Sequence, residues 1–203
     1  MAQELWHRWH TWYFERRLGV ATSGFILEKD FDYVHADNKP YAPIGYEHLR
    51  WALNRIPFSA GEVEFVDIGA GKGRAVVTAA TRAYRKVTGV EISPTLAGEA
   101  KRNLGVMRHR RAQAVEVVQT DATLYSLSAT ANVFYLFNPF DGETLQRMVE
   151  AIRESFAAHP RRGFVIFFNH KHFEKAVAGQ PWIRKVYDGE FYPQYSCGLY
   201  EIG

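Results

Sequence analysis

Asp67 stands two residues ahead of the first of three alternating glycines, Gly69, Gly71 and Gly73, at the end of a short apolar run. Glycine lacks the Cβ that would block a sharp turn or the close approach of a bound molecule. The acid adds a negative charge at the same spot, suited to a cationic group. Glu91 and Asp121 follow two later apolar runs in the same way. Carboxylates placed there can accept hydrogen bonds from paired hydroxyls or from an amino group. A fourth run ends in Asn138-Pro139-Phe140-Asp141. In that segment an amide oxygen can accept from an amine, the proline fixes its φ and stiffens the turn, and the aromatic face attracts developing positive charge. The glycine spacing matches neither G-x-G-x-x-G nor G-x-x-x-x-G-K-[ST], so two common phosphate-binding loops are excluded.

The elements that must carry these residues alternate along the chain. Runs rich in Val, Ile and Phe at 63–68, 86–92, 114–120, 132–137 and 163–168 have strand length and read as buried on both faces. Segments 72–84, 95–107 and 142–158 between them carry helical spacing, and a short helix is expected near 45–55. Ser93-Pro94 offers a cap and a start for one of the helices, and Pro160-Arg161-Arg162-Gly163 punctuates the end of another. A last pair of runs, about 182–187 and 195–202, is expected to form an antiparallel hairpin. This rhythm predicts an α/β fold with a mostly parallel sheet. Three acids at three successive strand ends then share one sheet edge, the edge at which open parallel sheets bind ligands.

The D-x-G-x-G-x-G pattern at 67–73 resembles the first motif of class I S-adenosylmethionine (SAM) methyltransferases. That resemblance implies a Rossmann-like sheet of seven strands in the order 3-2-1-4-5-7-6, flanked by helices. It implies SAM as cofactor, S-adenosyl-L-homocysteine as product, and an enzyme that transfers a methyl group. Asp67, Gly69, Gly71 and Gly73 would hold the cofactor. Glu91 would accept from the ribose hydroxyls beside Ile92, and Asp121 and Ala122 would take the adenine. Asn138-Pro139-Phe140 is similar to the (Asp/Asn/Ser)-Pro-Pro-(Tyr/Phe) motif of class I enzymes that methylate nitrogen, with one proline missing. These three are the expected catalytic residues, Asn138 also touching the cofactor. The pattern as a whole looks like the non-SET protein lysine methyltransferases, which makes an amine on a protein or on another molecule the expected acceptor. Small-molecule N- or O-methylation is the alternative, and a SAM-binding partner subunit without transfer activity is another.

Residues 1–45 read as an N-terminal extension and 46–203 as the catalytic domain. Trp6, Trp9, Trp12 and Tyr13 form a stripe at helical spacing among His7, Arg8, His10, Arg16 and Arg17. The expectation is a lid over the active site. A stripe packed on the domain's own surface, a stacking platform for nucleic acid and a membrane-surface helix are the competing readings. Tyr41 and Tyr46 are expected to bound the methionine end of the cofactor. Asp141, Asn169, His170, Trp12 and Tyr13 are expected on the substrate side, with His170 or His172 as a general base. Lys72 and Arg74 are expected to face solvent or a carboxylate.

The chain has 203 residues, 47% hydrophobic, with net charge +3. That suffices for one buried core and falls below the basic excess of a dedicated nucleic-acid surface. One cysteine, Cys197, excludes an intrachain disulfide and a cysteine-rich zinc site, and no metal is expected. The absence of a long apolar run and of a signal-like start points to a soluble protein of a reducing cytosol.

Overall fold

The computed structural model describes residues 2–27, 32, 39–169, 171–191 and 195–203. Seven strands form one sheet: β1 (Glu64–Ile68), β2 (Lys86–Glu91), β3 (Ala114–Gln119), β4 (Val133–Phe137), β5 (Gly163–Phe168), β6 (Ile183–Phe191) and β7 (Tyr195–Ile202). Their order is β3-β2-β1-β4-β5-β7-β6, as expected. The first five run parallel, and β7 pairs antiparallel with both β5 and β6. Helices α1 (Ala2–Leu18), α2 (Tyr46–Leu53), α3 (Arg74–Ala80), α4 (Pro94–Val106), α5 (Gly142–Ala158) and α6 (Lys171–Val177) complete the fold.

Strand alternation builds two apolar layers. Phe65, Tyr135, Phe164 and Ile166 point to a layer shared with Leu49 and Leu53 of α2 and Val76 and Ala79 of α3. Val66, Ile68, Phe134 and Leu136 point the other way, against Leu145, Met148 and Ile152 of α5 and Phe173 of α6. Every residue of β1 and of β5 is buried, as runs without polar alternation require in a sheet covered on both faces. Strand β3 departs from that expectation. It is the sheet edge, and Ala114, Glu116 and Gln119 are exposed along it. An edge strand with one neighbour is covered on fewer sides, and its Glu and Gln belong to solvent.

The aromatic stripe of the N-terminal helix faces outward. Trp6, Trp9, Trp12 and Tyr13 are 48, 56, 56 and 39% exposed. The inward stripe is instead the half-buried His7 and His10 with the buried Phe14 and Leu18, which also has helical spacing. Phe14 and Leu18 pack with Val20, Tyr46 and Val77 in a third, small apolar cluster.

Candidate functional site

The turn from β1 into α3 is forced by its glycines. Gly69, Gly71 and Gly73 have φ of 81°, 54° and 83°, a left-handed region that disfavours side chains. Each also meets a neighbour. A Cβ on Gly69 would lie 2.4 Å from Cβ of Pro139, one on Gly71 2.3 Å from a ring carbon of Tyr41, and one on Gly73 3.1 Å from Cβ of Ala100. The first two glycines therefore let Pro139 and Tyr41 close on the loop, while the third lets α3 pack on α4.

A cavity opens at this end of the sheet. Its walls include Asp67, Gly69 and Gly71 from the glycine turn, Glu91 and Ile92 after β2, Asp121 and Ala122 after β3, and Asn138, Pro139 and Phe140 after β4. The three strand-end acids thus meet in one space. Segment 39–44 closes the remaining side. It is tethered at several points: Ile26 and Tyr41 exchange backbone hydrogen bonds of 3.1 and 2.9 Å, and the Lys39 N–H donates to the Pro139 carbonyl at 3.3 Å. The Tyr41 hydroxyl donates to the Thr22 carbonyl at 2.5 Å.

The acids differ in their surroundings. Asp67 is fully buried, and burial, with the charge of Glu91 second, pushes its carboxyl well above the usual range. Glu91 is also raised by burial, against the opposing hydrogen bonds it receives. Its carboxylate accepts from the Gly71 N–H at 2.7 Å and the Ser93 N–H at 2.9 Å, so it also fixes the glycine turn. Asp121 uses Oδ1 to accept from the N–H and hydroxyl of Thr123, both at 2.7 Å, and caps a short 3-10 turn at Ala122–Leu124. Asn138 has φ 43°, and its Oδ1 is buried without a hydrogen-bond partner among the described residues. A buried acceptor left unmade costs about 1–3 kcal/mol, so this atom marks a place where a donor belongs.

Several expected residues stand elsewhere. Tyr46 is 0% exposed and outside the cavity wall. Its hydroxyl is 2.9 Å from that of Thr22 and its ring stacks on Phe14, so it belongs to the core. Gly73, as its contact with Ala100 shows, packs helices and does not line the cavity. Trp12 and Tyr13 also lie off the wall, as does Asn169, whose N–H donates to the Ser196 carbonyl at 2.7 Å. His170 lies outside the described residues. Asp141 makes no helix cap and pairs with Lys39 at 2.5 Å. Lys72 pairs with Glu99 at 3.2 Å. Arg74 does meet a carboxylate, and it is far from solvent: it donates to the Thr22 hydroxyl at 2.8 Å, the Ile44 carbonyl and Ser23 hydroxyl at 2.9 Å and Glu15 at 3.3 Å.

One residue of this wall and one that braces it from outside were not foreseen. Tyr135 sits opposite Asp67 in the β1–β4 register, lines the cavity, and carries a buried hydroxyl without a partner among the described residues. The strand alternation that places Asp67 on its face was the available signal. Asp32 accepts from the Ser93 hydroxyl at 2.6 Å and the Thr95 N–H at 2.9 Å, tying the extension to the start of α4.

Comparison with known proteins accords with this geometry. The family described as "Methyltransferase domain" matches residues 66–166. The chain carries a class I SAM-dependent methyltransferase domain. The RNA methyltransferase of Salinibacter ruber, solved with S-adenosyl-L-homocysteine, is similar to this domain with TM-score 0.58 and 19% identity, over 79% of this chain and 94% of that one. The ribosomal protein L11 methylase of Lactobacillus delbrueckii subsp. bulgaricus gives 0.58 and 13%, over 75% of each chain. A SAM-dependent methyltransferase of Aquifex aeolicus gives 0.57 and 14%, over 76 and 89%. No curated protein sequence matches. RNA and a ribosomal protein both figure in the names of these neighbours, so the methyltransferase fold alone leaves the acceptor open. No helix among the described residues is long and apolar enough to cross a membrane.

Proposed function

We propose that this methyltransferase acts on nitrogen, taking as acceptor an amine of a protein lysine or of another molecule. The observation that carries the reading is Asn138: its left-handed backbone and Pro139 after it hold a buried amide oxygen, unpartnered among the described residues, on the cavity wall. An amine N–H satisfies that oxygen. A neutral amine so held keeps its lone pair for attack, and no strong base is required. The work is then mainly positioning, which can lower a barrier by roughly 7–11 kcal/mol.

The cavity suits SAM by its charge. Of its cationic lining residues, Lys39 is paired with Asp141 and Arg74 with Glu15. That leaves a wall dominated by carboxylates, matched to a cationic ligand and poor for a phosphate. Asp67 would face the positive charge of the methionine end, Glu91 the ribose hydroxyls, and Asp121 with the Ala122 N–H the adenine. SAM supplies an electrophilic methyl group on a positive sulfur. Phe140, which is buried, would cover the acceptor side, and Tyr41 would wall the methionine end in place of Tyr46.

Replacing Asn138 by Ala tests the reading. Calorimetry should show SAM affinity nearly unchanged, while transfer to an amine acceptor falls on the order of 100-fold. Equal losses in affinity and turnover would make Asn138 a cofactor or folding residue. Transfer to a hydroxyl acceptor by the native enzyme, untouched by the substitution, would favour small-molecule O-methylation.

A further inference from the structure

Outside the cavity, the described residues hold another concentration of titratable side chains, between α1 and α2. His7 Nδ1 and Glu47 Oε1 are in direct contact, and His48 Nε2 lies 3.8 Å from the same oxygen. His10 Nδ1 stands 2.9 Å from the other oxygen, Oε2. One ligand atom each of His7, Glu47 and His48 lie within 4.8 Å of one another. His48 is buried, and its Nδ1 has no hydrogen-bond partner among the described residues.

We propose that His7, Glu47 and His48 bind a divalent transition metal of the zinc type, with His10 orienting the carboxylate from behind. Three imidazoles crowd one carboxylate here, two of them on the same oxygen. Neutral imidazoles and one ionised carboxylate are the protonation states that a metal requires. A mixed nitrogen and oxygen set suits zinc and its neighbours, whereas calcium and magnesium take oxygen ligands. A tetrahedral zinc with ligands at about 2.0–2.1 Å separates its donors by roughly 3.3 Å. Small shifts of side chains that already lie this close would reach that geometry.

His10 fits the part of an outer partner. It holds Oε2 while Oε1 faces the other two rings, and such partners commonly fix a ligating carboxylate. The rings of Phe14 and Trp6 hold His10 in turn, with centroids at 4.7 and 4.6 Å, and Phe191 backs His48 at 4.8 Å. A surface depression lined by His7, His48, Thr11 and Trp12 supplies an entry path and room for a fourth, solvent ligand. The metal would join the extension to α2, immediately after segment 39–44 that closes the cofactor cavity. The sequence did not suggest a metal because the ligands come from two helices forty residues apart.

The untagged full chain, stripped with a chelator, is the material for the test. Zinc titrated against a chromogenic chelator should bind at one equivalent per chain. Cobalt(II) should give the visible absorption of a four-coordinate nitrogen and oxygen site. His48→Ala and His7→Ala should each weaken zinc binding by more than roughly 100-fold, beyond the 10- to 100-fold typical of losing an outer partner, which is the range expected for His10→Ala. His159→Ala, at the C-terminal end of α5 and outside the histidine cluster, should bind zinc as the native chain does. No stoichiometric zinc, a featureless cobalt spectrum, or equal affinity in native chain and His48→Ala would each overturn the site. The cobalt spectrum needs only the native chain, so the proposal stays testable if the alanine variants fail to fold.

Discussion

The glycine turn and the N-terminal extension hold opposite sides of one cavity by different means. The turn is local: Asp67, Gly69 and Gly71 lie within five residues, and Glu91 braces them from the next strand by accepting from the Gly71 N–H at 2.7 Å. The extension is held at long range, through Arg74 to Thr22 and Glu15, Asp32 to Ser93, and Lys39 to Asp141. Backbone shape carries the first, and directional side-chain bonds carry the second. One wall therefore belongs to the sheet, and the other depends on polar contacts that single substitutions can release.

Arg74→Ala should expose that dependence most. It removes donors to Glu15, Thr22, Ser23 and the Ile44 carbonyl from a buried position. Removing one partner of a buried pair costs about 3–5 kcal/mol. Glu15 keeps the Thr22 N–H and hydroxyl and the Ser23 hydroxyl as donors, which sets the expectation at the lower end, about 3 kcal/mol. Denaturant unfolding measures it. Arg74→Lys should not restore the loss, since an ammonium cannot reproduce a guanidinium fork bonded in several directions. A loss below about 0.5 kcal/mol, the scale of an exposed pair, would mean that the extension is not held by Arg74.

The same contrast explains what the sequence disclosed. Strand order, the shared edge of the three acids and helix α5 at Gly142–Ala158 were legible because each follows from local periodicity or from a motif with a fixed place in the fold. The orientation of α1 was not. Its bulkiest apolar residues, Trp6, Trp9, Trp12 and Tyr13, were read as the working face of a lid, while the helix docks through His7, His10, Phe14 and Leu18. The histidines find Glu47 only in three dimensions. Tyr46 misled for the converse reason: an aromatic near the cavity in sequence turned inward to fill the space beneath α1. Arg74 was read as a loop cation, and only the fold brings Glu15, Thr22 and Ser23 around it.

Gly71→Ala and Gly73→Ala sharpen the comparison between the two walls. Both positions have positive φ, so each alanine carries a similar backbone penalty of about 1–2 kcal/mol. They differ in what the new Cβ strikes. At 71 it meets the Tyr41 ring at 2.3 Å and must push away the wall that the extension provides; at 73 it meets only Ala100 at 3.1 Å. SAM affinity should therefore fall by about tenfold or more in Gly71→Ala, about 1.4 kcal/mol, and by much less in Gly73→Ala, although both lose stability. Equal affinity in the two variants would mean that Tyr41 takes no part in holding the cofactor.

The smallest effect concerns Asp67, on the wall that needs no help from the extension. In the ligand-free protein its carboxyl is raised well above the usual range, first by burial and then by Glu91. Between its unfolded value and that raised value the folded chain binds the extra proton, so stability of the free protein should fall as pH rises through this window. Glu91, also raised chiefly by burial, adds to the fall. Cofactor binding should run in the opposite direction. A cationic ligand favours the ionised carboxylate, so binding releases the proton, and SAM affinity should increase with pH by at most about tenfold per unit across the same window. Asp67→Asn keeps the size of the side chain and removes the proton, so it should flatten the part of both slopes that Asp67 supplies. Calorimetry of SAM binding at several pH values, in buffers of different ionisation enthalpy, reads the released proton directly. Affinity that is flat with pH in the native chain, with no proton released, would remove Asp67 from the cationic end of the ligand and leave it a buried acid of the sheet edge.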